Sequence, residues 1–410
     1  MKYGCIGEKL GHSFSAEIHA ELFDYDYQLR EVARDELHRF MTQKDFAAIN
    51  VTIPYKEAVI PYLDAIDDAA REIGAVNTIV NENGKLTGYN TDFMGLRALI
   101  ERMGLDLKDK RVLIAGSGGT SRTAAAVAHA LGAAEVHRMS RKPSEGLISY
   151  EQAKAEHTDA QILINTTPLG MYPNLGGMAV ELDDYPKLEG VVDAVYNPLR
   201  SALVDRALQK GIKAEGGLYM LVAQAARAAE KFVGTSVPEE KTRRIYNKLF
   251  CGKENIVLIG MPGSGKSTVG KVLAKKLGRP FEDTDAWITE RYGDIPAIFE
   301  KCGEAHFRDL ESEAVKALSA QGGRVIATGG GAVLRAENLA FLRQNGKIYF
   351  LDRPLEDIMP TDDRPLARDR AALEARYRER LPLYLAGGKR IDCARSIEDI
   401  AEEIGKDFMI

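Results

Sequence analysis

The chain has 410 residues, of which 45% are hydrophobic, and its formal net charge is −5 at pH 7. This length predicts two or three domains with ordinary hydrophobic cores. The mildly negative charge gives no reason to expect nucleic acid or an anionic membrane as a partner. The four cysteines are widely separated, so neither a disulfide framework nor a zinc–cysteine site is expected. Because we find no signal-peptide pattern and no run of 18 apolar residues, we expect a cytoplasmic protein without a membrane span.

Short strands and helices alternate through the first hundred residues. Asn83 and Gly84 separate two strand-like runs, which predicts a hairpin. From residue 111 onwards, apolar runs alternate with helical segments, which predicts parallel strands covered on both faces. A new strand–loop–helix unit starts at Asn255, so we predict the seam between two halves at residues 252–254. Strands are predicted at residues 111–115, 135–139, 162–167 and 191–195, and helices at residues 91–103, 217–232, 238–249 and 397–404.

Polar residues follow the short strands of the first 92 positions. Lys56 comes just after a strand-like run, and Asp92 precedes a predicted helix. A lone lysine is most often solvent-exposed, and a lone aspartate before a helix is most often its N-cap. The spacing of these residues alone therefore does not distinguish a substrate site from an ordinary surface. The full set consists of Ser13, Ser15, Thr52, Lys56, Asn77 and Asp92.

A glycine turn follows the strand predicted at residues 111–115. Gly116, Ser117, Gly118 and Gly119 form the turn, and Ser121 replaces the third glycine of the G-x-G-x-x-G pattern. Such a turn is typical of dinucleotide sites, although it also occurs as an ordinary strand-to-helix turn.

The end of the next predicted strand bears on which dinucleotide would bind. It reads Met139-Ser140-Arg141-Lys142, without the Asp or Glu that holds the ribose hydroxyls of NAD. A guanidinium suits a 2′-phosphate, so the sequence favours NADP. The alternative is that Arg141 and Lys142 are a solvated pair.

Residues 260–268 read GMPGSGKST and match G-x-x-x-x-G-K-[ST] between a predicted strand at 255–259 and a predicted helix at 269–277. This loop wraps backbone N–H groups around nucleotide phosphates. Lys266 is expected to reach the β- and γ-phosphates, and Ser267 to ligate Mg²⁺. An ATPase or a GTPase switch would carry the same loop. The predicted ATP-binding set is Gly263, Ser264, Gly265, Lys266, Ser267 and Thr268.

Three further features of the second half lie near this loop in sequence. Asp283 and Asp285 alternate along an extended segment, so both carboxylates are expected on one face, where they suit a magnesium-bound water and an acceptor hydroxyl. Alternatively, they are solvated acids and a helix cap. Arg308 is predicted on a helix, where a lone arginine is usually exposed. The glycines at 329–331 either expose backbone N–H groups to a ligand or make a tight turn.

Residues 1–250 resemble the shikimate dehydrogenase family. The resemblance rests on HSFSAEIH (12–19), NVTIPYK (50–56), GAVNT (74–78), NTD (90–92), GSGGTSR (116–122), NTTPLGM (165–171), DAVYNP (193–198) and GGLYMLVAQ (216–224). It implies a catalytic pair of Lys56 and Asp92, and a substrate carboxylate held by Ser13 and Ser15. Further implied substrate contacts are Thr52, Asn77, Tyr196 and Gln224. Implied cofactor contacts are Ser140, Arg141, Lys142, Thr166, Gly217 and Met220.

The sequence departs from this family at several positions without losing a catalytic group. Lys9 and Ala16 stand where proline is usual, so the loop around residues 9–16 is expected to be less rigid. Ser140 replaces the usual asparagine before Arg141, which bears on the strength of the NADP preference. Ser201 replaces a usual threonine.

Residues 255–405 resemble the shikimate kinase family. The resemblance rests on GMPGSGKST, FEDTDAWI (281–288), GEAHFRDLE (303–311), ATGGGAV (327–333), DRPLA (363–367) and RERLPLY (378–384). It implies that Asp283 acts through magnesium-bound water. It also implies that Arg364, on a mobile lid at 359–370, offsets charge on the transferring phosphoryl group. Implied shikimate contacts are Asp285, Arg308, Gly330, Gly331 and Arg380. Within the lid, Ala367 replaces a usual leucine.

Together the two resemblances predict a bifunctional enzyme that reduces 3-dehydroshikimate with NADPH and phosphorylates shikimate with ATP and Mg²⁺. The expected fold is α/β, with a two-lobed dehydrogenase containing a Rossmann-type NADP domain, followed by a P-loop domain similar to nucleoside monophosphate kinases. The expected domains are residues 1–250 (substrate lobe 1–103 with helices 217–250, and NADP lobe 104–216) and residues 255–410. Alternatives are an NAD-linked quinate/shikimate oxidiser fused to a kinase, a half that is a non-catalytic regulatory module, and a P-loop switch protein.

Overall fold

The computed structural model describes residues 1–11, 14–358 and 370–409. The chain divides into two compact units. The first comprises Met1–Asn197 and Ser201–Lys248, and the second comprises Leu249–Ile410 together with the short segment Pro198–Arg200. Among the residues described, no helix combines the length and the apolar character that crossing a membrane requires.

The amino-terminal lobe of the first unit is built around one mixed sheet. Asn83 and Gly84 take positive φ angles of 54° and 87°, as a two-residue hairpin turn requires, and the flanking strands pair antiparallel as predicted. The strands are β1 (Tyr3–Gly7), β2 (Tyr27–Glu31), β3 (Ala48–Val51), β4 (Ala65–Ile66), β5 (Thr78–Glu82) and β6 (Lys85–Tyr89). They lie in the order β2-β1-β3-β5-β6-β4. The helices are α1 (Ser15–Leu22), α2 (Leu37–Gln43), α3 (Asp68–Ile73) and α4 (Thr91–Arg102).

The second lobe of this unit is a five-stranded parallel sheet. Its elements are β7 (Arg111–Ala115), α5 (Gly119–Ala130), β8 (Glu135–Met139), α6 (Tyr150–Glu156), β9 (Ile162–Asn165), β10 (Gly190–Asp193), α7 (Ala202–Gln209) and β11 (Lys213–Glu215). The strand order is β11-β10-β9-β7-β8. The order reverses between β7 and β9, and crevices at such points bind nucleotides in parallel α/β sheets. As the edge strand, β8 is only half-buried, which differs from the prediction that every strand is covered on both faces.

Two long helices complete the first unit and lead into the second. They are α8 (Leu218–Val233), which packs against α4, and α9 (Glu239–Lys253). The predicted seam at 252–254 is wrong as a linker, because α9 continues through Gly252 and Lys253. Only Glu254 separates this helix from the following strand.

The second unit is built around a five-stranded parallel sheet covered on both faces. Alternate residues of its first strand explain this, since Val257 and Ile259 enter one buried cluster and Ile256 and Leu258 enter another. The elements are β12 (Asn255–Ile259), α10 (Lys266–Leu277), β13 (Phe281–Asp283), α11 (Thr284–Tyr292), α12 (Ile295–Ser319), β14 (Val325–Ala327), α13 (Ala336–Asn345), β15 (Gly346–Asp352), α14 (Arg370–Gly387), β16 (Lys389–Asp392) and α15 (Ile397–Met409). The strand order is β13-β14-β12-β15-β16. The predicted α/β fold class is confirmed.

Candidate active sites

A cavity of about 470 Å³ lies in the first unit and is lined by residues of both lobes. It brings together residues that are more than two hundred positions apart in the sequence, such as Ser15 and Gln224. Ser13 lies outside the described residues. The residues from the predicted set that line this cavity are Ser15, Thr52, Lys56, Asn77, Asp92, Thr166, Tyr196, Gly217, Met220 and Gln224.

Lys56 and Asp92 form a close ion pair in this cavity. The Lys56 Nζ donates a hydrogen bond to Oδ2 of Asp92 at 2.6 Å, and the two side chains are only 16% and 10% exposed. The N-cap of α4 is Asn90, whose side chain accepts from the backbone N–H of Phe93 at 3.2 Å. The alternative interpretation of Asp92 as the helix cap is therefore wrong. An ammonium paired with a carboxylate can donate a proton to a developing alkoxide and be held in place while it does so.

Amide and hydroxyl groups also line this cavity. The Asn77 side chain accepts from the backbone N–H of Thr91 at 2.7 Å and donates to Oε1 of Gln224 at 3.3 Å. Ser15 is the first residue of α1 and is buried. Burial raises the pKa of Tyr196, so its phenol remains a hydrogen-bond donor at neutral pH. These neutral groups suit a small ring that carries several hydroxyls.

The glycine turn between β7 and α5 has the geometry of a nucleotide-binding turn. Gly116 has φ 120°, and a Cβ there would lie 2.4 Å from Oγ1 of Thr166, so only glycine fits. A Cβ at Gly118 would meet nothing within 4 Å, which leaves this side of the turn open to a ligand. The hydroxyl of Ser121 donates to the carbonyl of Gly116 at 2.6 Å. Ser121 therefore closes the turn that a third glycine usually completes.

The end of β8 carries positive charge and no carboxylate between residues 139 and 142. The Ser140 hydroxyl accepts from the backbone N–H of Lys142 at 3.1 Å, and Arg141 and Lys142 are exposed. Burial, and then the nearby Arg122, lower the pKa of Arg138 on the same strand. These residues fit a dinucleotide with a 2′-phosphate. Gly116, Ser117, Gly118, Gly119, Ser140, Arg141 and Lys142 lie outside the lining of the cavity itself.

Cys5 lines this cavity, although the sequence analysis did not propose it. Burial raises the pKa of the Cys5 thiol to about 12, with Lys56 opposing the shift. The thiol is therefore protonated at neutral pH, and we assign it no nucleophilic role. Its position at the centre of β1 is the only sequence signal that could have placed it here.

A second cavity, of about 540 Å³, lies in the second unit. Ser264, a residue of the glycine loop, is buried and does not line this cavity. Arg364 and most of the predicted lid lie outside the described residues. The residues from the predicted set that line this cavity are Gly263, Gly265, Lys266, Ser267, Thr268, Asp283, Asp285, Arg308, Gly330, Gly331 and Arg380.

The phosphate loop depends on glycines with positive φ. Gly260, Gly263 and Gly265 have φ of 149°, 81° and 91°, and α10 begins directly after them. The Lys266 Nζ donates to the carbonyls of Gly260 and Met261 at 2.9 and 2.8 Å. A lysine held across the loop at a helix N-terminus is placed to meet phosphate oxygens.

Ser267 and Asp283 bring two oxygen ligands together beside this loop. The Ser267 hydroxyl donates to Oδ2 of Asp283 at 2.6 Å. One hydroxyl and one carboxylate next to the expected phosphates fit Mg²⁺, which keeps several waters and takes few protein ligands.

The strand-alternation argument for Asp283 and Asp285 is wrong, because Asp285 belongs to a helix. Asp283 ends β13 and caps α11, and its Oδ1 accepts from the backbone N–H of Asp285 at 2.9 Å. Both carboxylates still line the cavity, because the helix begins immediately after the strand. Asp283 is thus both a helix cap and a candidate metal ligand.

Arg308 and Arg380 are buried, so the interpretation of Arg308 as an exposed helical arginine is wrong. Arg308 donates to Oε2 of Glu311 at 2.7 Å and to Oε1 of Glu304 at 2.9 Å. Burial lowers the pKa of Arg308, but Glu311 and Glu304 outweigh it and raise the pKa. Arg380 donates to the carbonyl of Gly330 at 3.1 Å. Two fixed guanidiniums at one cavity suit a carboxylate.

Glu304 and Glu311 were missed in the sequence analysis. Both lie on α12 with Arg308, at spacings of four and three residues that place them beside it on one helix face. Burial raises the pKa of Glu311, with Arg308 opposing. Their spacing from Arg308 was the available signal.

These sites define a two-lobed dinucleotide-binding oxidoreductase unit followed by a P-loop kinase unit. Residues 5–79 match the family model "Shikimate dehydrogenase substrate binding domain", and residues 262–408 match "Shikimate kinase". The chain is 36% identical over 267 residues to a shikimate dehydrogenase (NADP(+)) of Clostridium perfringens, covering 61% of this chain and 98% of the relative. A shikimate dehydrogenase (NADP(+)) of Bacillus cereus is 32% identical over 273 residues, covering 61% and 99%.

Solved structures give the same result for the first unit. Shikimate dehydrogenase 1 from Peptoclostridium difficile has a TM-score of 0.57 at 33% identity, covering 61% of this chain and 98% of that one. A Thermus thermophilus shikimate 5-dehydrogenase in complex with NADP(H) and shikimate has a TM-score of 0.55 at 27% identity, covering 60% and 99%. The chain belongs to the shikimate dehydrogenase family and carries a second domain of the shikimate kinase family.

Proposed function

We propose that this enzyme catalyses two consecutive reactions. The first unit reduces 3-dehydroshikimate to shikimate with NADPH, and the second transfers the γ-phosphoryl group of ATP to the 3-hydroxyl of shikimate. The observation that carries the proposal is the 2.6 Å contact between Lys56 and Asp92 in a cavity that both lobes line. The family membership of both halves supports it.

In the first reaction, bound NADPH supplies the hydride, and the side chains supply orientation and the proton. Lys56 donates a proton to the oxygen of the reduced ketone, and Asp92 holds the ammonium in position. Asn77, Gln224 and Thr52 bond the ring hydroxyls. The substrate carboxylate is assigned to Ser15, together with Ser13 from outside the described residues. Thr166, Met220 and Gly217 border the nicotinamide, and Tyr196 closes the substrate side.

In the second reaction, Arg308 and Arg380 hold the carboxylate of shikimate, and Asp285 accepts a hydrogen bond from the reacting hydroxyl. Backbone N–H groups at Gly330 and Gly331 complete the acceptor site. Lys266 offsets charge on the phosphates of ATP. Ser267 and Asp283 would hold Mg²⁺, which offsets further charge on the transferring group. We assign Arg364, outside the described residues, to the same task.

We infer that NADP, rather than NAD, is the cofactor. The relatives are named for NADP(+), and Arg141 follows β8 where an NAD enzyme carries an acid. An NAD-linked quinate/shikimate oxidiser is the alternative, and comparing turnover with NADPH and NADH separates the two. The described cysteines are all free, which supports a reducing compartment such as the cytoplasm.

The deciding experiment incubates the purified chain with 3-dehydroshikimate and NADPH, with and without ATP and Mg²⁺. Oxidation of NADPH and formation of shikimate 3-phosphate are both followed. We expect Lys56→Ala to lower the first rate by about 10²–10⁴-fold, the range for a general acid. Lys85→Ala, which removes an exposed lysine of the same lobe, is the control and retains full rate. A Lys56→Ala rate within about tenfold of wild type would contradict the assignment.

A further inference from the structure

Two histidines and a glutamate meet on the nucleotide lobe, away from both cavities. Glu135 and His137 are alternate residues of β8 and share one face of the strand. His157 follows α6, and its ring centroid lies 3.9 Å from that of His137. One ligand atom from each of the three side chains lies within 4.8 Å of the other two. All three side chains are half-buried.

We propose that Glu135, His137 and His157 form a binding site for a late first-row divalent cation such as Zn²⁺. Imidazole nitrogens and a carboxylate oxygen are the ligands that Zn²⁺ takes, at about 2.0–2.2 Å. The donor atoms must therefore move about 1 Å inward, which rotation of half-exposed side chains allows. The three residues fill three positions, and the exposed side of the cluster leaves the fourth for water.

The contacts around Glu135 allow it to turn toward a bound cation. Nε2 of His137 already lies 3.5 Å from Oε2 of Glu135, so two of the three proposed ligand atoms are close to each other without a metal. Arg111 contacts Glu135 at 3.2 Å and also pairs with Asp159. Because Arg111 retains Asp159 when Glu135 turns toward a metal, the glutamate is released without leaving the guanidinium unpaired.

The bound cation would connect the edge strand β8, through Glu135 and His137, to His157 at the end of α6. Glu135 and His137 are the first and middle residues of β8, whereas Ser140 and Arg141 follow its last residue, Met139. Binding is therefore expected to leave the cofactor site accessible.

Calorimetric titration of the whole chain with Zn²⁺ tests the site, with excess Mg²⁺ present to occupy all-oxygen sites. Wild type is expected to bind one ion, and His157→Ala to bind it at least about tenfold more weakly, since even outer-shell changes cost that much. His306→Ala, which removes an exposed histidine of the other unit, is the matched control and keeps wild-type affinity. Equal affinity in His157→Ala and wild type, or no binding in wild type, would overturn the proposal.

If His157→Ala fails to fold, the Cu²⁺ electron paramagnetic resonance spectrum of wild type decides. Coupling to two nitrogens supports the site, and its absence refutes it.

The glycine turn at residues 116–119, here called the cofactor turn, is linked by direct contacts to the catalytic pair of Lys56 and Asp92. What we infer from these contacts rests on the proposed reductase function. A Cβ placed at Gly119 would lie 3.3 Å from Ala75 Cβ and 3.8 Å from Lys56 Cβ, so the start of α5 lies directly against the lysine stem. One turn later, Arg122 pairs with Glu57, the neighbour of Lys56, and donates to the carbonyl of Gly74 at 3.4 Å.

The same helix also contacts the segment that carries Asp92. The side chain of Asn90, which caps α4, donates to Oγ1 of Thr123 at 3.3 Å and to the carbonyl of Ala75 at 2.9 Å. Residues 119–123 thus contact Lys56 and its neighbour Glu57, and they also contact Asn90, which lies two positions before Asp92. We infer that Arg122 is a positioning residue, which sets Lys56 through Glu57 when the cofactor turn is in place.

Arg122→Ala and Glu57→Gln both remove this ion pair and test the inference. Each is expected to lower kcat for 3-dehydroshikimate reduction by about tenfold, because small misplacements of a reacting group are costly. The Kd for NADPH is expected to stay within about threefold of wild type. The double variant should be no slower than the slower single one, because both changes break one contact. Arg122→Lys should restore part of the rate. Arg97→Ala, which breaks an exposed ion pair on α4, is the control.

A wild-type kcat in Glu57→Gln would overturn the inference, even if Arg122→Ala proved unstable. A raised Kd for NADPH at unchanged kcat would instead make Arg122 part of cofactor binding and would equally refute it. Failure of the wild-type chain to reduce 3-dehydroshikimate would refute the proposed function itself, so the two failures are distinguishable.

Discussion

Replacing Gly331 by alanine should weaken shikimate binding to the second unit and leave ATP binding intact. A Cβ at Gly331 would lie 2.0 Å from Nη1 of Arg308 and 2.4 Å from its Cζ. The backbone at Gly331 has φ −98° and ψ −4°, which alanine adopts without strain. The substitution therefore acts on the guanidinium, with no backbone penalty.

The guanidinium must retreat to an ordinary contact of 3.4 Å, a shift of roughly 1.4 Å from the position it now occupies. Arg308 is 8% exposed and is held by Glu304 and Glu311, so it cannot move freely into solvent. A hydrogen bond to a charged group contributes about 1.5–3 kcal/mol, and we expect one or more such bonds to the substrate carboxylate to be lost. This loss corresponds to a rise in KM for shikimate of about 10- to 100-fold.

Steady-state kinase assays with shikimate and ATP varied separately measure this effect. Gly405→Ala is the matched control, because a Cβ there meets its nearest neighbour, a Leu273 methyl, at an ordinary 3.7 Å. The reductase activity of the same preparation reports that the rest of the chain is folded. A KM for shikimate within about twofold of wild type, or a rise confined to ATP, would show that Arg308 does not bind the substrate carboxylate.

Three further outcomes are expected. Gly330→Ala should raise KM for ATP as well as for shikimate, because its Cβ would lie 2.6 Å from Cδ of Pro262 in the phosphate loop while its carbonyl accepts from Arg380; an unchanged KM for ATP in steady-state kinetics would contradict this. Arg141→Ala should lower the ratio of kcat/KM for NADPH over NADH by about tenfold, the scale of a charge-assisted hydrogen bond to phosphate; an unchanged ratio would place the 2′-phosphate elsewhere. Burial raises the pKa of Asp193 to about 6. The protonated side chain therefore contributes fully to the free energy of unfolding below the ordinary pKa of an aspartate. This contribution of about 2–3 kcal/mol is lost as pH rises through 6. Amide exchange of β10 should therefore become slower in Asp193→Asn than in wild type as pH increases from 4 to 7, and a pH-independent difference would contradict this.

The phosphate loop and the parallel sheets were predictable because their signals are local. Nine contiguous residues fix the loop, and the strand that precedes it is apolar at every position after Asn255 because both of its faces are covered. The hairpin at Asn83-Gly84 is equally local, since the turn conformation itself selects these residues. The ends of such elements are less well determined. Helix α9 continues through Gly252 to Lys253, so the single glycine does not end it.

Features that depend on tertiary packing were not predictable from the sequence alone. Asp285 lies on a helix because Asp283 caps it, and strand periodicity gave the wrong reason for their proximity. The cluster of Glu135, His137 and His157 joins residues 20 positions apart through the packing of α6 on the sheet edge. The resemblance to known families supplied the roles of Lys56 and Asp92, which spacing did not distinguish from surface residues.

The two units are proposed to recognise the same carboxylate in different ways, and the charges explain why. Among the described residues, two lysines line the first cavity, Lys9 and Lys56, and Lys56 is already paired with Asp92 at 2.6 Å. No arginine is among the described residues that line it, and the proposed carboxylate contact there is the hydroxyl of Ser15 at the start of α1. In the second cavity the acceptor must approach a polyanionic nucleotide, and repulsion between anions in a partly desolvated site is strong. Buried guanidiniums offset that repulsion, and Glu304 and Glu311 hold Arg308 in place. Arginines would therefore be required where the enzyme joins two anions, and dispensable where it only reduces a ketone.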